Sequence, residues 1–258
     1  MPENPLNCVD RAMHPARNNE VNVHLVPRAL RAGVAGVMLT LASVAAPEQT
    51  PADPEALAET MLQRIGGRER WAALKNTING SQQNRAEEPT IVYSVITMDF
   101  ERPRFRIETT ATNLHLIRVI DGEQSWRLSR AGVIEDLPAD RHAGDMDWYA
   151  AHLYRTIHRV AARDPALSLA IGKGGPLEIF DGDERLLWIK LDAKGEPYAF
   201  GVGGDDTGSL CGPWDVVREG IHHPRWVSSA DGTWRAAVRT LEVNVPLHKS
   251  MFARPAAP

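Results

Sequence analysis

The chain has 258 residues, 43% of them hydrophobic and 24% charged, with a formal net charge of −4. That is the composition of an ordinary globular protein. The negative balance argues against a nucleic-acid partner, which would want a clearly basic face, and the interspersed basic and acidic residues read as a solvated mixed surface.

In chain order, the first informative stretch is residues 28–46. Arg28 and Arg31 precede an uncharged run from Ala32 to Val44, and the small residues Ser43, Ala45 and Ala46 follow. A basic segment, an apolar run and a small-residue site together predict a secretory signal, cleaved after Ala45. The run falls short of the roughly 20 apolar residues that a membrane-crossing helix needs. The polar stretch ahead of Arg28 is long for a signal, which makes Met13 a candidate start. The expected organisation is a signal region over 1–45 and one domain over 46–258. Removal of the signal takes Cys8 with it, so Cys211 becomes a single thiol in an oxidising compartment, with no intramolecular disulfide.

Asp53 followed by Pro54 reads as a helix start, because the carboxylate can cap free backbone N–H groups and proline loses nothing there. Leu57, Ala58, Met61, Leu62 and Ile65 form one apolar stripe, and Gly66-Gly67 ends it. A shorter helical piece brings in Trp71 and Leu74. Period-two alternation follows. Val92, Ile96, Met98 and Phe100 share a face; Phe105, Ile107 and Thr109 alternate with Arg104, Arg106 and Glu108. Leu187, Ile189 and Leu191 share a face of a later strand. Asp121-Gly122, Asp181-Gly182 and Lys194-Gly195 are hairpin turn signals. Between these strands, apolar residues from Met146 to Ala161 predict one long helix over 145–163, ended by Asp164-Pro165. The expected class is α+β, mainly β: a curved antiparallel sheet forming an open half-barrel, its concave face covered by amphipathic helices.

Signatures of catalysis are scarce. His152 and His158 lie six apart on one helix, about 240° around its axis, and cannot share a metal. His222-His223 sit in an extended segment where neighbours point to opposite faces. Asp145 and Asp147 are best explained as a helix start, and Asp205-Asp206 by solvation in a Gly-rich loop. The segments Gly172–Gly175 and Gly201–Gly204 lack the Lys-Ser/Thr ending of a phosphate loop. No enzyme, metal or cofactor is expected from these patterns.

FERPRFRIE from Phe100 to Glu108 and IRVIDGEQSW from Ile117 to Trp126 resemble the LolA-type periplasmic lipoprotein carriers. In that family an Arg-Pro strand start with a nearby aromatic precedes a hydrophobic strand and DGxxxW. The opening helix and MFARP from Met251 to Pro255 are similar to the same family. NVPL from Asn244 to Leu247 fits its broader lipoprotein-sorting relatives better. The long helix over 145–163 and the region 201–226 depart from the compact carrier pattern. The resemblance implies a periplasmic half-barrel that binds acyl chains of lipidated proteins or other hydrophobic ligands, exchanging them with membrane-anchored donor and acceptor proteins. It also implies that Arg102 latches the helical lid.

Met98, Phe100, Phe105, Trp126, Trp148 and Trp188 are candidates to line the ligand cavity; an alternating face of this kind equally serves as filled core. Three functions stand at this point. They are a carrier of hydrophobic ligands, an envelope interaction protein with a filled barrel, and a hydrolase using His222 or His223 with a nearby acid.

Overall fold

The computed structural model describes residues 53–86 and 88–256. The expected signal stretch, its expected cleavage site and Cys8 lie outside them. Helix α1 (Pro54–Arg64) starts where Asp53 accepts a hydrogen bond from the Glu55 N–H at 3.0 Å. Its stripe of Ala58, Met61, Leu62 and the following Ile65 is fully buried. The Gly67 N–H closes the helix on the Leu62 carbonyl at 2.7 Å. Gly66 has φ +123°, and a Cβ there would stand 2.2 Å from the Gly220 carbonyl oxygen, so no side chain fits. Helix α2 (Arg68–Ala72) then places the Trp71 indole N–H on the Ile65 carbonyl at 2.9 Å.

Five hairpin-connected strands follow β1 (Asn76–Arg85): β2 (Glu88–Asp99), β3 (Arg104–Ala111), β4 (Leu114–Asp121), β5 (Gln124–Ser129) and β6 (Ile134–Asp136). Helices α3 (Ala139–Ala150) and α4 (Leu153–Ala161) come next. The return half contains β7 (Leu167–Ile171), β8 (Leu177–Asp181), β9 (Glu184–Leu191), β10 (Pro197–Val202) and β11 (Ser209–Cys211). A small hairpin of β12 (Val216–Arg218) and β13 (Ile221–His223) precedes β14 (Trp226–Ser229) and β15 (Trp234–Val243). Thirteen strands make one antiparallel sheet in the order β6-β5-β4-β3-β2-β1-β15-β14-β11-β10-β9-β8-β7. The sheet is not closed, since β6 and β7 remain its two edges. This is the expected mainly β, open half-barrel.

The helix over 145–163 is instead two helices. His152 adopts an extended conformation (φ −61°, ψ 132°) and its Nδ1 accepts from the Tyr154 N–H at 3.3 Å, so it caps α4 rather than continuing α3. Asp145 lies in mid-helix and is buried, not at a start as expected. Helix α4 ends at Ala161, and the Asp164 carboxylate caps the next turn at the Ala166 N–H, 3.0 Å away.

Register fixes which side chains share a face, because directly opposed residues point the same way. One row runs Val243, Thr77, Met98, Phe105, Ile120. Phe105 of that row meets Trp148 and Tyr149 of α3, with ring centroids 5.1 and 6.1 Å apart, so this is the helix-covered face. The larger core joins α1, α2 and α4 to β8, β9 and the end of β15. Side chains such as Met61, Ile157 and Leu177 are wholly buried there, each contributing about 1.5–3 kcal/mol. On the opposite face the C-terminal segment lays Phe252 against Val119 and Trp126.

The candidate binding face under the helical cover

Three largely buried rows share the face of the sheet on which α3 lies. The first is apolar: Met98 and Phe105 are fully buried, and Ile120 continues it. The second carries Asn79, Ile96, Ile107 and Arg118. The third carries Ser81, Ser94 and Thr109 side by side, all buried hydroxyls. The covered face is therefore an apolar band bordered by a polar one.

Polar groups fasten the cover along these rows. Arg118 Nε lies 3.1 Å from Asp145 Oδ2, and Arg141 Nε lies 3.5 Å from Asp145 Oδ1. The Tyr149 hydroxyl shares its proton between the Asp99 carbonyl at 2.7 Å and the Arg102 carbonyl at 2.9 Å. Burial pushes that phenol's pKa up, keeping it a donor. At the other end, Arg68 of α2 donates to the Val160 and Ala161 carbonyls of α4 at 2.8 and 3.0 Å, and its Nε to Glu59 at 2.6 Å. A cation on the last carbonyls of a helix also opposes the negative end of its dipole. His158 donates from Nδ1 to the Trp71 carbonyl at 2.9 Å.

Between α3 and α4 runs a chain of rings: Phe105, Trp148, His152, Tyr154 and His223, with successive centroids 5.1, 4.9, 5.3 and 4.7 Å apart. His223 Nδ1 donates to the Pro224 carbonyl at 2.6 Å, which leaves Nε2 to accept from the Tyr154 hydroxyl. Desolvation lowers the His223 pKa to about 4 and that of His152 to about 3. His223 is 2% exposed, whereas His152 keeps more surface. Cys211 is buried, with its thiol pKa pushed up to about 12 by desolvation and its Sγ facing the Pro197 carbonyl at 3.6 Å.

The residues singled out in the sequence divide between the two faces. Met98, Phe105 and Trp148 meet on the covered side, and Phe100 stacks on His158 at 5.3 Å beside it. Trp126 lies on the opposite face, donating from its indole to the Phe252 carbonyl at 3.2 Å. Trp188 also points away from the helices, donating to the Asp205 carbonyl at 2.7 Å above Gly201 and Gly208. The Arg102 side chain is exposed, and it is the residue's carbonyl that meets α3. His222 Nδ1 is bonded to the Trp214 carbonyl at 3.1 Å. The His115 and Glu108 pair, 2.8 Å apart, sits on the outer face rather than in a cleft. Among the described residues no three His, Cys, Asp or Glu side chains converge as metal ligands would.

From the sequence, no role falls to Arg118 or Tyr154, Asp145 reads as a helix start and Tyr149 as apolar stripe, and His223 is weighed only as a metal ligand or hydrolase base. A signal for the first was present. Arg118 shares the face of Leu116 and Ile120 in LHLIRVI, so it points inward and requires a buried carboxylate. Asp145, three and four residues before Trp148 and Tyr149, shares their helical face and supplies it.

No known family model matches the chain, and no curated protein matches it. Among solved structures it is similar to a DUF1329 family protein from Desulfovibrio piger, at 8% identity over 78% of this chain and 98% of that one, TM-score 0.44. An uncharacterized conserved protein from Thermus thermophilus is similar at 13% identity over 77% and 94%, TM-score 0.32. The MucA/MucB complex of Pseudomonas aeruginosa contains a chain similar at 12% identity over 77% and 61%, TM-score 0.30. No helix among the described residues is long and apolar enough to cross a membrane.

Proposed function

We propose that this chain is a non-catalytic binding protein of the periplasm that admits an apolar ligand, such as the acyl chain of a lipidated protein, between half-barrel and helical cover. The observation that carries this reading is the apolar row of Met98, Phe105 and Ile120 beneath Trp148 and Tyr149 of α3, a helix whose buried residues are Asp145 and Tyr149 and which discrete polar contacts fasten, while α4 stays packed in the core. Apolar packing alone gives a shut core, whereas hydrogen bonds worth about 1 kcal/mol each make a cover that can release. Met98, Phe105 and Trp148 would meet the ligand. The exported compartment rests on the signal-like stretch at 28–46. The absence of catalysis is supported by His223, whose two nitrogens are both engaged, by Tyr154 and by the Pro224 carbonyl.

A second reading has its own support. Met98 and Phe105 have no exposed surface, which favours an interaction protein whose barrel stays filled. Mass spectrometry of lipid extracted from native protein, together with titration of a fluorescent acyl probe, separates the two. Co-purified acyl lipid and saturable probe binding support the carrier. Neither, with the fold intact, leaves the filled interaction protein.

A further inference from the structure

The outer face of β14, β15 and β1 carries a groove of about 490 Å³ that the proposed ligand site does not use. It is lined by Gln82, Asn84, Arg225, Trp226, Arg235 and Arg239, among others. Register places Trp226 opposite Ala237, Ala237 opposite Gln82, and Gln82 opposite Tyr93, one row across four strands. Tyr93 is 53% exposed, and it is flanked on its own strand by Ile91 at 43% and Val95 at 38%. An aromatic floor at one end and an apolar stripe at the other are thus joined by an amide.

Three guanidiniums surround this row. Arg235 Cζ lies over the Trp226 ring, 4.6 Å from its centroid, which holds it in place without neutralising it. Arg239 donates to the Gln82 amide oxygen at 2.7 Å. Among the described residues neither has a carboxylate partner, whereas Arg225 pairs with Asp215 at 2.7 Å. Three arginines against one aspartate leave a locally basic groove on a chain whose formal net charge is −4.

We propose that this groove binds an extended acidic peptide segment of a partner protein, its carboxylates on Arg235 and Arg239 and an apolar side chain against Tyr93 and Val95. Arginine, tryptophan and tyrosine are the residues in which interface energy concentrates. Crossing four strands means about 14 Å, which roughly five extended residues cover. A peptide is favoured over an anionic membrane for two reasons. The site is concave, and screening beyond about 8 Å lets a short segment sense the local arginines while a broad anionic surface meets the net negative chain.

The test selects a library of random hexapeptides on the purified protein and measures the enriched peptides by fluorescence polarisation. Enriched sequences should combine Asp or Glu with an apolar residue and weaken as salt rises. Binding should fall at least tenfold in R235Q/R239Q and in Y93S, both with unchanged far-ultraviolet spectra and melting temperatures. Enrichment without acidic residues, no enrichment, or equal binding by R235Q/R239Q overturns the proposal. So does co-sedimentation with phosphatidylglycerol vesicles that needs the two arginines while no peptide is enriched, which would assign the groove to lipid. Because the groove lies on the face away from α3 and α4, failure of the acyl-probe experiment leaves this outcome unaffected.

Discussion

Arg118 of β4 reaches Asp145 of α3 at 3.1 Å, with 5% and 1% of the two side chains exposed. A charge this deep is tolerated only with its partner. Asp145→Leu strands Arg118, and about 3–5 kcal/mol of stability should be lost in urea unfolding. Arg118→Leu combined with Asp145→Leu should recover much of that loss. A double variant as unstable as the sum of the singles would mean the pair is not a unit.

The pH response follows from His223. Its folded pKa of about 4 lies below the ordinary value of 6.5, so the fold holds the neutral ring. The contribution is complete above 6.5, declines as pH falls from 6.5 towards 4, and loses nothing more below that. At pH 5 the loss from this residue should be about 2 kcal/mol relative to neutral pH. His223→Asn should make the fall of the urea midpoint between pH 7 and 5 shallower, the remainder belonging to His152, whose lowered pKa acts over the same window. An equally steep profile in the variant would assign the acid sensitivity elsewhere.

Tyr149 and Arg102 make opposite predictions from one contact. Tyr149→Phe removes the proton shared by the Asp99 and Arg102 carbonyls, at a cost of about 1–3 kcal/mol, and should speed acyl-probe entry if the cover opens. Arg102→Leu keeps the carbonyl and alters only an exposed side chain, so stability should move by no more than about 0.5 kcal/mol. Changed probe retention in Arg102→Leu at unchanged stability would place the guanidinium on the ligand.

Cys211 should resist modification. The thiolate is the reactive form, and a buried thiol with a pKa of about 12 supplies almost none at neutral pH. A maleimide should label it only after unfolding, measured as the mass increase of intact protein. Labelling at native-state rates equal to those of a free thiol would contradict its burial.

The fold was legible because its cues are local. Asp121-Gly122, Asp181-Gly182 and Lys194-Gly195 each turn a hairpin, with φ of +61°, +58° and +80° at the glycines. The α1 cap and stripe stand where Asp53, Pro54 and the apolar spacing put them. The break between α3 and α4 was hidden because His152 caps through a side-chain nitrogen, which residue type alone does not announce. The division of the aromatics was hidden for another reason. Trp126 and Phe105 alternate correctly within their own strands, but only the register across β3, β4 and β5 puts them on opposite faces.

Strand β1 pairs with β15, so Thr77 near the start of the domain faces Val243 near its end. The middle of the sheet is therefore closed by the last long strand to be synthesised. Until β15 arrives, β1 is an open edge with unmatched donors and acceptors, a template for any other extended chain. Hairpins β2 through β6 can form early and cheaply, but the seam joining both halves waits on a loop of nearly the whole domain, which makes folding slow. A chain released short of Trp234 would present that edge permanently, and its fate would be aggregation rather than a smaller version of the protein.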